Sequence, residues 1–183
     1  MLMNYEELYS LMALRRSTRK FKDKTLSSGQ IQKIVQAGVT APSSLNKQPW
    51  SFVVLTNQGQ KKKLREIYTR ARKKQGLYEQ DASFVEKATP VVLVCESEDR
   101  GLLYSCAMAV QNMNLAAISL GLASLQAIAA TTLEEDREAI GKLVSAPKNG
   151  FVMLVLFYGY ADERPEPKPK KAFGEVMFEN SFR

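Results

Sequence analysis

The chain has 183 residues and a mass of 20.5 kDa, the usual size of one domain, so we predict a single domain over residues 1–183. Its 45% hydrophobic and 25% charged residues exclude a disordered chain. Histidine is absent, which excludes Ser-His-Asp and Cys-His catalysis and most zinc sites. Enzymatic chemistry would therefore have to come from a cofactor or from other side chains.

The net charge of +7 is concentrated in three segments. Residues 61–74 hold eight basic residues and one acid, residues 15–24 hold six and one, and residues 164–171 hold four and one. Because the remainder is acidic, this pattern favours specific anion sites over a general nucleic-acid coat. Segment 61–74 is interpreted first as a solvated helix face, then as a gate for an anionic substrate or reduced nicotinamide, and last as a nucleic-acid surface.

Capping patterns predict four helix starts along the chain. The pairs are Asn4 with Glu7, Ser27 with Gln30, Asn57 with Gln60, and Thr132 with Glu135. Apolar stripes accompany the first two helices, formed by Leu8, Leu11 and Met12 and by Ile31, Ile34, Val35 and Gly38.

Strand-like apolar runs occur at 50–55, 90–95 and 151–158, with a weaker one after Gly121. Strands separated by helices predict a sheet with helices packed on it. The uncharged stretch 101–133 is interpreted as a buried central helix followed by a strand, because Gln111, Asn112 and Asn114 at its middle disfavour a membrane span.

The ends and the cysteines indicate an intracellular protein. Met1-Leu2-Met3 is followed closely by the acids Glu6 and Glu7, unlike a signal peptide, so we expect a cytoplasmic location. Cys95 and Cys106 lie in apolar stretches without CxxC spacing, which favours buried thiols over metal or redox chemistry.

Prolines 165, 167 and 169 predict an extended tail that ends in a strand-like GEVMF run. On composition alone, this tail could reach over a partner subunit or lie on its own surface.

Two segments carry candidate binding groups. RRSTR at residues 15–19 offers guanidinium forks and a hydroxyl, which suit a phosphate, although such stretches are often phosphorylation sites or plain surface. APSSLNKQPW at residues 41–50 places two hydroxyls and two carboxamides in a loop stiffened by prolines. Such a loop suits the polar edge of a heterocycle.

Together these segments resemble the FMN-dependent nitroreductase family. The matching pieces are RRSTRKF, APSSLNKQPWSFVVL, QNMNLAAISLGLAS, APKNGFVMLVLFYGY and KPKKAFGEV, in family order across nearly the whole chain. The resemblance implies an α+β homodimer with a mixed β-sheet flanked by helices, a long central helix and a C-terminal extension, about 160–183, that embraces the partner subunit. It also implies one FMN at each of two sites built from both subunits.

The resemblance carries over specific cofactor-binding positions. They are Arg15, Arg16, Ser17 and Arg19; Pro42, Ser43, Ser44 and Asn46 from the partner chain; Gln126, Ala127 and Ile128; and Lys168 and Lys170. Gln126-Ala127-Ile128 stands where the family often has Trp-Ile-Gly, whose backbone N–H faces flavin N5. The segment between Trp50 and Pro90 is also short, which argues against a large substrate lid.

The implied function is an NAD(P)H-dependent FMN oxidoreductase that reduces nitro compounds, quinones or similar small acceptors by a ping-pong mechanism. FMN is the implied bound cofactor and NADH or NADPH the co-substrate, and no metal and no catalytic side chain is expected. Arg16 and Arg19 are candidates to stabilise anionic reduced flavin, with Arg70, Arg72 and Lys73 as weaker ones. Three further hypotheses stay open: a flavin oxidase, dehalogenase or specialised dehydrogenase of the same fold, a flavin-binding module with little turnover, and a basic nucleic-acid-binding protein.

Overall fold

The structure, a computed structural model, describes residues 4–77 and 82–182, so Met1-Leu2-Met3 lies outside it. The helices are α1 (Tyr5–Leu14), α2 (Ser28–Val39), α3 (Gln58–Lys74), α4 (Phe84–Lys87), α5 (Arg100–Ser119) and α6 (Glu134–Leu143). The strands are β1 (Trp50–Val54), β2 (Thr89–Cys95), β3 (Ala123–Gln126) and β4 (Phe151–Gly159), and short 3-10 turns cover Ser44–Asn46, Ile128–Ala130 and Phe173–Glu175. This confirms the α+β class. In the described part of the chain, no helix is both long and apolar enough to cross a membrane.

The sheet has four strands in the order β1-β2-β4-β3, and each neighbouring pair is antiparallel. A bulge interrupts the β2–β4 register after Leu93, which leaves Met153 without a partner opposite it. The parallel component that a mixed sheet requires is limited, among the described residues, to a bridge between Ser17 and Ser124. Only one backbone hydrogen bond forms there, Thr18 N to Ser124 O at 3.0 Å, so the extended stretch after α1 does not become a strand.

Helices cover both faces of this sheet. Alternate residues of β2 and β4 point to opposite faces, as strand geometry requires. Val92, Val155 and Phe157 face a cluster with α3, α4 and α6, whereas Leu93 and Leu156 face a second cluster with α2 and α5. Every residue of β2 is buried. The central pair of strands therefore lies between two hydrophobic cores.

Most sequence-predicted elements are confirmed, with shifts of one or two residues at their ends. All four strand-like runs form strands. Capping boxes form at Asn4 and Ser27, and Asn57 accepts the backbone N–H of Gln60. The predicted start at Thr132 is wrong: α6 begins after Leu133, because the Thr132 hydroxyl donates to Ile128 O at 3.1 Å instead of capping the helix.

Two features of the chain are less buried or less regular than their sequence patterns suggest. The stripe of Leu8, Leu11 and Met12 on α1 does not enter the core, since no residue of α1 is buried. The GEVMF run forms no strand: Val176 N and Met177 N bond back to Phe173 O, which closes a local turn. The stretch before that turn has no regular secondary structure, and its extended conformation stays a prediction.

Gly159 at the end of β4 touches the ring of Phe21, and a Cβ there would lie 2.8 Å from Phe21 Cδ1. Because Phe21 is buried and packed against Phe84, we expect Gly159→Ala to lower the free energy of unfolding by about 1–3 kcal/mol. Gly29→Ala in α2 is the control, since nothing lies within 4 Å of that added methyl group. It should be neutral or stabilising by up to about 1 kcal/mol. Equal urea midpoints for the two variants would contradict the close contact.

Candidate functional site

The segment Arg15–Arg19 leaves α1 and runs parallel to β3, with Ser17 opposite Ser124. Its position is fixed by the Thr18–Ser124 bond and by Glu163, whose Oε1 accepts from Arg19 N at 2.5 Å and from Lys20 N at 3.1 Å. Thr18 is buried, Arg15, Arg16 and Ser17 are half-buried, and Arg19 is exposed. The backbone is thus held by neutral and acidic acceptors, while the cationic side chains stay at the surface.

The three arginines of this segment have different surroundings. The Arg16 guanidinium donates to Ala13 O at 2.5 Å and Arg15 O at 2.8 Å, so it caps carbonyls at the end of α1. The Arg19 side chain has one long contact, 3.5 Å to Ser17 O, and the Arg15 side chain bonds to no described residue. Arg15 and Arg19 are therefore the guanidinium groups available to an anionic ligand, whereas Arg16 is already engaged.

The loop 42–48 is held in an unusual backbone conformation at the start of α5. Leu45, Asn46 and Gln48 have φ of +52°, +55° and +49°, a region that non-glycine residues rarely adopt. Ser44 N donates to Ser105 Oγ at 3.1 Å, and Ser43 Oγ accepts from Gln48 N at 3.0 Å. Strained backbone is retained where the surrounding structure enforces it and is frequent at binding sites. Pro42, Ser44 and Asn46 are exposed, and Ser43 is half-buried.

Gln126, Ala127 and Ile128 connect β3 to the 3-10 turn Ile128–Ala130. Ala127 N donates to Val155 O at 2.8 Å, which fixes the start of this turn on β4. Within the described ranges, the backbone N–H groups of Ile128 and Ala129 donate to no protein acceptor. They are hydrogen-bond donors that a ligand could use.

A cavity of about 300 Å³ lies beside these residues. Its walls are Ala107, Val110, Gln111, Gln126, Ile128, Met153 and Leu154. This volume is at the lower end of the range for small-molecule pockets, and the lining is mainly apolar with two carboxamides. The arrangement suits a planar heterocycle with a polar edge.

One chain does not bring all predicted binding residues together. The hydrogen bonds of residues 15–19 go to α1, Ser124 and Glu163, and those of residues 42–48 stay in their loop or go to Ser105, so no described hydrogen bond joins the two segments. Lys168 and Lys170 lie in the exposed tail, beyond Glu163, and form no ion pair with a described residue. The described hydrogen bonds therefore leave these predicted binding segments unconnected within the single chain.

The basic segment 61–74 forms the amphipathic helix α3. Arg65 pairs with Glu86 at 2.9 Å, Arg70 with Asp136 at 2.6 Å, and Lys74 with Glu135 at 2.5 Å. The Lys61 amine is buried and donates to Glu86 O and Ala88 O, and burial lowers the pKa of Lys61 against the opposing effect of Asp23 and Glu86. Much of this charge therefore stabilises the contacts of α3 with its neighbours.

Of the three weaker candidates for contact with an anionic ligand, two are engaged elsewhere. Arg70 is bound to the buried Asp136, and Arg72 donates to Tyr68 Oη at 3.3 Å. Lys73 is exposed. Cys95 and Cys106 are free, buried thiols, as predicted, and burial raises the pKa of the Cys106 thiol.

Sequence reasoning missed two residues that contact the candidate segments. Glu163 holds the backbone of residues 19–20 from 144 positions away, and Gln75 donates from Nε2 to Ala129 O at 2.8 Å. Neither residue stands in a motif. Their roles depend on contacts between distant segments, so the sequence contains no local signal for them.

The fold and these segments define an α+β protein with a candidate site of exposed guanidinium groups, a strained loop and a small apolar cavity. The Nitroreductase family model matches residues 12–160, and the chain belongs to this family.

Three similar proteins illustrate the range of the family. A protein of Archaeoglobus fulgidus with the provisional name NADH dehydrogenase/NAD(P)H nitroreductase is 30% identical over 177 residues, covering 93% of this chain and 91% of its own. The crystal structure of a Bacteroides fragilis nitroreductase with bound FMN has a TM-score of 0.78 at 25% identity, covering 98% of this chain and 100% of its own. An iodotyrosine dehalogenase 1 homolog of Caenorhabditis elegans is 26% identical over 186 residues, covering 88% of this chain and 57% of its own.

Proposed function

We propose that this protein is an FMN-dependent oxidoreductase that takes electrons from NADH or NADPH and reduces nitro compounds, quinones or similar small acceptors in a ping-pong cycle. The observation that carries the proposal is the placement of Arg15–Arg19 beside β3, with Ser17 opposite Ser124, on the strand that leads into the turn where the N–H groups of Ile128 and Ala129 donate to no described acceptor. The FMN-bound Bacteroides fragilis relative and the NAD(P)H nitroreductase name of the Archaeoglobus fulgidus relative support it.

The chain's own groups fit FMN. Arg15 and Arg19 carry guanidinium groups that are not committed to acidic partners, and Ser17 adds a hydroxyl, which together suit a phosphate. The N–H groups of Ile128 and Ala129 would donate to the polar edge of the ring, and the walls of the adjacent cavity would cover its apolar part. The residues present therefore match the two chemically different halves of the cofactor.

When bound, FMN supplies the electron transfer that the side chains of this chain cannot perform. The protein would position the flavin ring and stabilise its charge. Arginines near the site would stabilise negative charge on the ring, and the backbone donors of the turn, which is anchored to β4, would need no reorganisation. No side chain is assigned as a general acid or base, since protons for an acceptor can come from water. The apolar walls formed by Val110, Met153 and Leu154 would exclude water from one side of the site.

We also propose a homodimer in which the loop 42–48 of one chain completes the site of the other. The exposed side of α5 carries Tyr104, 63% exposed, and Met108, 41% exposed. Large apolar side chains are also exposed on α1 and on the tail, at Tyr5, Tyr9, Met12, Leu14, Phe173, Met177 and Phe182. Apolar surface of this extent on a folded chain marks an interaction site. A second copy would cover it, with the tail 160–183 as the arm and Lys168 and Lys170 brought to the phosphate.

A second candidate function is reductive dehalogenation of an aromatic substrate. The similarity to the Caenorhabditis elegans dehalogenase homolog over most of this chain favours it over a flavin oxidase or a specialised dehydrogenase of the same fold. Both candidates use the same flavin site and differ in the acceptor. The cytoplasmic location stays a prediction.

The electron donor is tested by an absorption spectrum of the purified protein, followed by anaerobic addition of NADH and, separately, NADPH. We expect a flavin spectrum that bleaches with at least one donor and returns when a nitroaromatic or a quinone is added. Return with a halogenated phenol and loss of halide, but not with a nitroaromatic or a quinone, would establish the dehalogenase instead. A spectrum that persists with both donors would leave a flavin-binding module, and no FMN binding at all would refute both enzyme candidates.

The phosphate site is tested by replacing two arginines. The double variant Arg15→Ala/Arg19→Ala should raise the Kd for FMN about 100-fold, because each charge-assisted hydrogen bond contributes about 1.5–3 kcal/mol and the exposed position reduces that value. FMN titration by fluorescence measures this change. The control is Lys20→Ala/Lys22→Ala, which removes two positive charges from the same basic segment and should change the Kd less than threefold. Equal losses in both double variants would assign the effect to net charge alone.

The composite site is tested by Met108→Asp on the exposed side of α5. We expect the wild type to have a mass of about twice 20.5 kDa in solution, and the variant to be monomeric, because a two-fold interface would bury the new carboxylate twice. FMN binding should be lost with the dimer. Thr69→Asp on exposed α3 is the control and should keep both. A monomeric wild-type protein that binds FMN would refute the shared site.

A further inference from the structure

The C-terminal end of α3 reaches the turn Ile128–Ala130. Gln75 is the C-cap residue of α3, and its backbone N–H donates to Ala71 O at 3.2 Å. Its half-buried side chain points away from the helix and donates from Nε2 to Ala129 O at 2.8 Å. The basic helix and the turn after β3 are therefore joined by a side-chain hydrogen bond between segments 54 residues apart.

The residues that follow the turn, Thr131 and Thr132, are held by β4 and α6. Thr131 Oγ1 donates to Met153 O at 3.0 Å, at the bulge of β4, and Thr132 Oγ1 donates to Ile128 O at 3.1 Å. Arg137 of α6 donates to Thr131 O and Thr132 O, each at 3.1 Å. These contacts fix the residues that follow the turn and the carbonyl of its first residue. Among the described contacts, the carbonyl of Ala129 in its middle is bound by Gln75.

Ala129 joins two peptide units at its Cα. The unit before it contains the Ala129 N–H, and the unit after it contains the carbonyl that Gln75 binds. The first unit is held at Ile128 O by Thr132 Oγ1, and the second is held at its N–H, which Ala130 donates to Ala127 O at 3.1 Å, and at its carbonyl by Gln75. Because the two units share the Ala129 Cα, the Gln75 bond further restricts rotation about both backbone torsions of Ala129 and adds to the constraint on its N–H.

We propose that Gln75 is a positioning residue, which holds the Ile128–Ala130 turn so that the N–H groups of Ile128 and Ala129 are preorganised for a ligand. That this ligand is the flavin ring rests on the proposed function. Preorganised donors act at little cost in reorganisation, so a residue that fixes them affects the reaction without touching it. This also assigns a role to α3: Leu64, Ile67 and Tyr68 anchor the helix in the core, and its end supports the turn.

The proposal is tested first without cofactor, by hydrogen exchange of residues 124–133 in the flavin-free protein. Gln75→Ala should increase exchange of this segment at least fivefold. Gln75→Glu should do the same, because an ionised carboxylate of nearly the same size cannot donate to a carbonyl. Gln60→Ala is the matched control: Gln60 lies on the same helix and donates from Nε2 to Leu143 O at 3.4 Å, away from the turn. It should leave exchange of residues 124–133 within twofold of wild type.

The second readout uses the FMN-loaded protein. Gln75→Ala should slow anaerobic flavin reduction at saturating NADH or NADPH about tenfold and shift the flavin absorption maximum, with less than a twofold change in the KM for the nicotinamide. Gln60→Ala should change none of these. A purely structural role of Gln75 would lower the melting temperature without this split between rate and KM.

Several results would count against the proposal or against one part of it. Unchanged exchange in Gln75→Ala would overturn the proposal, and so would an equal increase in Gln60→Ala, which would indicate general loosening of α3. Increased exchange with an unchanged rate and spectrum would overturn the part that concerns the flavin. If the wild type binds no FMN, the proposed function fails, while the exchange experiment still decides whether Gln75 positions the turn.

Discussion

The architecture of the site depends on the attachment of residues 15–22 to the sheet. Thr18 bonds to Ser124 on β3, and three residues later the ring of Phe21 is buried between Gly159 and Phe84. This spacing leaves the arginines at the surface, while the buried residues Thr18 and Phe21 attach the backbone to the sheet. The cationic segment is therefore attached at several points although its side chains are accessible. Besides Thr18 and Phe21, Lys22 N donates to Tyr160 O at 2.9 Å and Asp162 N donates to Lys20 O at 2.8 Å.

The basic residues of this protein serve two different purposes. On α3, arginines and lysines pair with Glu86, Glu135 and the buried Asp136, so their charge is used within the fold. At Arg15 and Arg19, no acidic side chain pairs with the guanidinium groups among the described residues. The two clusters look alike in composition, and only their acidic neighbours distinguish a structural cluster from a candidate binding site. Local net charge alone does not locate an anion site.

The exposed apolar surface is the second constraint. α2 and α5 already cover their face of the sheet, so the tyrosines and methionine of α1 and the aromatic residues of the tail remain in water in a single chain. This surface and the strained, exposed loop at the start of α5 are the reasons for the proposal that two chains form the FMN site. The apolar stripe of α1 is a local pattern that the sequence shows directly. The surface that covers this stripe is not part of that pattern.

The sequence by itself determined the elements and the binding segments. Apolar runs predicted the four strands, capping residues Asn4, Ser27 and Asn57 fixed three helix starts, and RRSTR with PSSLN indicated the family, because all of these depend on residues close together along the chain. Only the tertiary structure decided the antiparallel strand order, the failure of Thr132 as a cap, and the contacts of Glu163 and Gln75. Those features depend on which distant segments pack together, and a hydrogen bond between residues 144 positions apart leaves no periodic or local pattern in the sequence.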